Sequence, residues 1–363
     1  MRNKQWVAAA SAGLIGLGLL GLAWTSYGAE PDKSEKKAEP PKFDPTSAVA
    51  VQQLREQALN VLSAALESPG AEERANAIEA LLPAAQRAEP AIRKGLRDVT
   101  PGVRAVAAMG VGKIKLNRLI EEVRPLLDDN SEFSRMGAIF AFAKCNVSVD
   151  QSALAGYLLN GRTPRIKAQA AYLLGEIGNK SAAPLLREAL SKRVGRADLN
   201  EDRLMRLQIN EALVKLGDDA ALDEIRIAIY PSKSEDLEAA VLAAQILGVL
   251  KDRASQRKLI ELVETTVRTE SSRSAQMPPE VRLAAAGALA RMGQVTGAVA
   301  IADEYRTNST PAVRAQAAVV YGDSHNRPQL GRLAGMIDDP DPTVRLAVAA
   351  AILKIIDGDP VAR

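Results

Sequence analysis

The sequence predicts an all-α fold, an α-solenoid formed as a superhelix of about nine helix-turn-helix repeats. Three observations predict it. Hydrophobic residues make up 47% of the 363 residues and aromatics only 3%, so Ala and Leu, both strong helix formers, carry the apolar content. An apolar helical pattern recurs through most of the chain at steps of 30 to 42 residues. Within each recurrence, apolar or small residues fall at offsets that trace one face of a helix.

The recurrences align on Glu73, Val103, Phe133, Ile166, Met205, Ala239, Val281, Val313 and Val344. Four steps on lie mostly small residues such as Ala107, Ala170, Ala243, Ala285 and Ala317, and eleven steps on lie mostly apolar ones such as Ile177 and Leu216. Pro101, Pro164, Pro279, Pro311 and Pro342 stand just before five of the anchors, where a helix's first turn tolerates a residue without an N–H. Asp98, Asp128, Asn308 and Asp339 sit five residues before theirs and suit turn-closing roles. Shorter amphipathic helices, such as 182–190, 220–229 and 330–337, run between. A single pair cannot bury its apolar face, so the pairs must stack.

The step after the anchor is basic in most repeats: Arg104, Lys167, Arg206, Arg282, Arg314 and Arg345 are expected to form a structural ladder, with Arg74 in the first repeat. A cation in a helix's first turn opposes the helix dipole and needs compensation, which a turn carboxylate or carbonyl supplies, Asp98 for Arg104 and Asp339 for Arg345.

The first 45 residues read differently. Arg2 and Lys4 precede an uncharged stretch from Trp6 to Trp24, then small residues, then charge from Glu30. That order is expected of a signal peptide over 1–28, or of an uncleaved N-terminal membrane anchor, and either way the body is exported to the periplasm or secreted. Residues 29–45 are charged and Pro-rich and are expected to form a flexible linker. The repeats then fill 46–358, leaving a short tail at 359–363.

The runs Pro311-Ala-Val-Arg-Ala-Gln-Ala-Ala, Asp341-Pro-Thr-Val-Arg-Leu-Ala-Val-Ala-Ala and Arg165-Ile-Lys-Ala-Gln-Ala-Ala-Tyr-Leu-Leu-Gly-Glu-Ile-Gly178 resemble HEAT repeats. They are closest to the short HEAT-like class also found in phycobilisome bilin lyases. The resemblance covers roughly 46–358 and implies the architecture, while the first, third and sixth repeats depart from it at Glu73, Phe133 and Ala239. It implies no single activity, because such repeats serve unrelated roles.

Chemistry-bearing residues are few. One Cys, Cys145, excludes an intrachain disulfide, and one His, His325, excludes a multi-histidine metal site; no cofactor, metal or catalytic residue is expected. Asp323, Ser324 and His325 are adjacent and cannot converge as nucleophile, base and orienter. Formal net charge is +3, and leaving out Arg2 and Lys4 leaves one positive charge, no footprint for nucleic acid. The two longest steps hold basic insertions, with Lys192, Arg193, Arg196 and Arg203 in the first and Arg268 and Arg273 in the second. Insertions in a solenoid become loops, where function concentrates. The expected function is therefore a non-enzymatic scaffold that binds a protein partner. These cations and exposed slots on the second helices (Gln169, Glu176, Gln208 and Gln316) would make the contact. The alternatives are a bilin-lyase-like enzyme or chaperone, a nucleic-acid-binding protein and a structural spacer.

Overall fold

In the computed structural model, the structure describes residues 43–192, 198–231, 234–264, 266–268 and 274–358. The expected export segment, most of the linker and the tail lie outside them. Eighteen α-helices occur among the described residues. The first repeats comprise α1 (Ala48–Ala65), α2 (Ala71–Ala80), α3 (Ala85–Gly95), α4 (Pro101–Lys113), α5 (Ile120–Val123) and α6 (Glu132–Lys144). Then come α7 (Ser152–Asn160), α8 (Pro164–Ile177), α9 (Ala183–Ser191), α10 (Leu199–Lys215), α11 (Ala221–Ala228) and α12 (Leu237–Leu250). The last are α13 (Gln256–Glu264), α14 (Pro279–Arg291), α15 (Val295–Tyr305), α16 (Pro311–Asp323), α17 (Leu330–Ala334) and α18 (Pro342–Asp357). The chain is a helical-repeat protein, an α-solenoid in two layers.

Even-numbered helices stack on one another and form the inner layer, and odd-numbered helices cover them. Inner helices are buried on nearly every side: Ala105 to Gly112 in α4 and Val281 to Ala290 in α14 are buried without a break. Tiny side chains set the spacing. A Cβ on Gly248 would stand 2.7 Å from Ala288 Cα across α12 and α14, and one on Gly322 would stand 2.9 Å from Ala351 Cα across α16 and α18. Gly175 meets Ala212 in the same way between α8 and α10. Successive inner helices thus approach backbone to backbone, as small residues permit.

The solenoid closes on itself. α1 and α2 pack on α18, occupying the places that a following repeat's helices would take. One continuous apolar cluster contains Val51, Leu54 and Leu62 from the first helix and Leu346, Ile352 and Leu353 from the last. An open superhelix keeps its first and last helices apart, whereas here they pack directly, so the nine helix pairs among the described residues form a ring.

Most inner helices end on a residue in the left-handed region, at Lys115, Asn146, Gly178, Gly217, Lys251, Gly293, His325 and Gly358. Seven of these turns lie twelve or fourteen residues after the anchors named above, whereas Asn146 lies thirteen after Phe133. The third repeat is therefore registered one residue later, on Ser134, which is fully buried. Arg135 then takes the ladder position that the sequence pattern left to Ser134. A second departure is the insertion after α13, expected as a loop. It contains two short antiparallel strands, β1 (Thr266–Arg268) and β2 (Ser274–Gln276), with Val267 opposite Ala275.

Candidate functional site: the ladder edge and the bore

Among the described residues, the connections from an outer helix to its inner helix lie on one edge of the ring, and the ladder runs along it. Arg74, Arg104 and Arg314 make the same four-point contact. In Arg104, Nη1 donates to the carbonyls of Asp98 and Val99 at 2.8 and 3.2 Å, while Nε and Nη2 clamp the Asp129 carboxylate at 2.8 and 2.9 Å. Arg314 repeats this on the Asn308 and Ser309 carbonyls and on Asp339, and Arg74 on Ser68, Pro69 and Asp98. The expected pairs form through the carbonyls, and the carboxylates do a second job. Asp98 and Asp339 give Arg104 and Arg345 their carbonyls, while their carboxylates serve the arginine of the preceding repeat. Each turn is thereby locked to its predecessor by charge-assisted bonds.

The turn carboxylates also accept their own backbone amides, Asp98 from Thr100 and Asp339 from Asp341. Burial works to raise the Asp98 and Asp339 carboxyls, but Arg74 and Arg314, with those amides, outweigh it and hold both below the ordinary value. At Asp129 the Arg104 hydrogen bond dominates and lowers it.

Elsewhere the ladder varies. Lys167 is buried and donates to the Leu159 carbonyl at 2.8 Å. Arg282, also buried, reaches the Val263 carbonyl at 3.0 Å and Glu304 at 2.7 Å. Arg206 bonds Asp202 of its own helix at 2.9 Å, and Arg203, expected to face a partner, reaches Asp236 of the next repeat instead. Lys192 pairs with Glu188 at the end of α9. Arg193, Arg196 and Arg273 lie outside the described residues. Arg268 is in β1, opposite Ser274.

The four residues expected as exposed slots all sit on the inner layer, and ring closure changes their setting. Gln169 and Gln316 are 5% and 8% exposed, so they are interior residues and offer no surface. Gln169 Nε2 lies 3.4 Å from Met109 Sδ, two inner helices away. Gln208 is half-buried. Glu176 belongs to a charged collar near the C-terminal ends of the inner helices, where Lys215 Nζ is 2.6 Å from both Glu176 and Glu211. Lys113 pairs with Glu79 at 2.7 Å, Lys144 donates to the Glu176 carbonyl at 2.9 Å, and Asp323 is held by Arg291 at 3.0 Å and Lys354 at 2.7 Å. Burial alone would lower the Lys215 ammonium and raise the Asp323 carboxyl; the partners reverse both. Burial, with Glu176, Glu211 and Glu79 nearby, lifts the Tyr172 phenol far above its ordinary value. Met109, Tyr172 and Glu211, all buried, place large side chains in the middle of the ring. Sequence reasoning missed this collar, although its members recur ten steps after the anchors as Lys113, Glu176, Lys215, Arg291, Asp323 and Lys354.

Asp323 is committed to that collar, Ser324 Oγ donates to the Tyr321 carbonyl at 2.6 Å, and His325 is the left-handed turn residue with φ 49°. Cys145 is buried, and burial raises its thiol.

A groove of about 780 Å³ lies on the ladder edge between the first two ladder turns. Leu66, Pro69, Pro90 and Val99 line it beside Arg93, Lys94 and Arg97, whose charges are paired with Glu89, Glu122 and Glu67. Val99 is 89% exposed.

No family model matches the sequence, and no curated protein matches it. Similar solved structures exist: the karyopherin Kap121p bound to the extreme C-terminus of the protein phosphatase Cdc14p, and Kap121p bound to Nup53p. Each is 12% identical with a TM-score of 0.31, over 84% and 81% of this chain respectively. The chain spans only 42% and 41% of those chains. An overlap of that quality adds nothing to what the chain's own stacked helix pairs show.

Proposed function

We propose that this ring is a non-enzymatic, protein-binding scaffold of the cell envelope or secreted space, delivered there by its N-terminal segment. One observation carries the reading: closure and filling of the ring bury the inner helices, so a partner must use an edge or the outer layer. The ladder edge holds the groove of apolar and charged residues. A preformed surface of this kind needs little ordering on binding. A bilin-lyase-like activity and nucleic-acid binding draw no support from the geometry.

The test is affinity capture from envelope extract with crosslinking and mass spectrometry, run beside two variants. One neutralises Arg93, Lys94 and Arg97, and the other Lys192, Arg193, Arg196, Arg268 and Arg273. A saturable partner crosslinked to the ladder edge and lost in either variant supports the proposal. Crosslinks confined to the outer layer or the opposite edge, or binding untouched by both variants, contradict it.

A further inference from the structure

Large side chains are buried midway along some inner helices, but not midway along α14. Six steps after the anchor, inner helices carry Met109, Tyr172 and Glu211, but α14 carries Gly287 there and Ala284 three residues earlier. A cavity of about 30 Å³ opens beside them, lined by Gln245 of α12, Leu283 and Arg291 of α14, and Gln316, Val320 and Asp323 of α16. A Cβ on Gly287 would stand 3.2 Å from Asp323 Oδ2, so the glycine keeps this space open. The Oε1 atoms of Gln245 and Gln316 are buried in the wall without a protein hydrogen-bond partner, and Gln316 is 8% exposed. Two buried acceptors left unsatisfied would destabilise the fold.

The chemistry of the lining selects the guest. Two acceptor oxygens need donors, which a carboxylate or halide lacks. Arg291 and Lys354 together outweigh Asp323 by one positive charge, which repels an ammonium. The guest must be neutral, and must both donate to the amides and accept from the guanidinium. A cavity of this size has room for about two water molecules, each of which takes roughly 10–15 Å³ of such space.

We infer that the cavity is a water-binding site, a pair of ordered waters bridging Gln245, Gln316 and Arg291 and so joining α12, α14 and α16 across the ring. The site stands apart from the proposed partner surface and does not depend on it. Because no tight Gly-to-Ala approach links α14 to α16, hydrated polar contacts take its place at this joint.

A high-resolution crystal structure and the melting temperatures of Gln316→Met and Gln245→Met in the full chain test it. Density for water about 3 Å from both amide oxygens is expected, with each near-isosteric variant melting about 2 °C lower because it removes a satisfied acceptor. A dry cavity, with both variants melting higher because an unsatisfied oxygen has been removed, overturns the inference. Density for an anion on Arg291 overturns it as well. The two variants probe separate helices, so a failure of one to fold leaves the other decisive.

Discussion

Arg55 Nε lies 3.1 and 3.0 Å from the two carboxylate oxygens of Asp357, a residue 302 positions away in sequence. The pair joins α1 to the end of α18, and both side chains are about four-fifths buried. It marks the seam at which the repeat array becomes a ring. Around it the seam is apolar, with Leu54 at 2% exposure and Leu62 at 0%.

The seam should carry global stability. Leu62→Ala removes a fully buried side chain at the closure and should destabilise the fold by about 2–5 kcal/mol. Arg55→Ala, which strands Asp357, should cost about 1–3 kcal/mol. Chemical denaturation followed by circular dichroism reads both, and values near zero for Leu62→Ala would mean that α1 does not close the ring.

The ladder arginines should matter one by one. Arg314→Ala leaves the Asp339 carboxylate and two turn carbonyls without their clamp and should cost about 2–4 kcal/mol. Arg314→Lys should recover only part of that, because an ammonium cannot make the planar fork. Differential scanning calorimetry of the two variants checks the order; equal stability of Arg314→Ala and the native chain would remove the ladder's structural role.

Acid should loosen the same contacts. The Asp98, Asp129 and Asp339 carboxyls are held below their unfolded value of 3.8. Groups with depressed folded values stabilise fully above the unfolded value and lose that contribution as pH falls through the folded one. Melting temperature should therefore stay level from neutral pH down to about pH 5 and fall below about pH 4. In Asp339→Asn the native state should start less stable and lose less on acidification.

The Cys145 thiol, buried and raised by burial, should resist maleimide in the native ring and react on unfolding. Native-state labelling at the rate of a free peptide thiol would contradict its placement, and intermolecular disulfides should be absent from non-reducing gels.

Export has its own readout. Trp6 and Trp24 are the only tryptophans, so a processed protein beginning near residue 29 should show no tryptophan emission. Emission from protein purified out of the envelope would indicate an uncleaved anchor.

The repeats were legible because helix periodicity, N-terminal prolines and the ladder cation are local signals. The third repeat was misregistered because Phe133 is the bulkier apolar residue, although Arg135 in the ladder position pointed to Ser134. Gln169 and Gln316 read as exposed because polar side chains ordinarily are, and only the joining of distant helices buries them. That closure leaves no periodic trace: Arg55 and Asp357 are ordinary helix residues until the ring brings them together. The insertions were recognisable by length, but not the pairing of Arg203 with Asp236, which depends on how α10 meets the turn before α12.

Small-angle X-ray scattering from residues 43–358 tests closure most directly. A compact ring of this size should give a radius of gyration of about 20 Å. Nine helix pairs stacked about 9 Å apart in an open superhelix would extend about 80 Å from end to end. A radius near 20 Å with a maximum dimension well below that length is the result expected here. A radius of about 25 Å with a maximum dimension of about 80 Å, as the open array gives, would mean that α1 and α18 stand apart, and would return the inner helices to solvent as an open binding face.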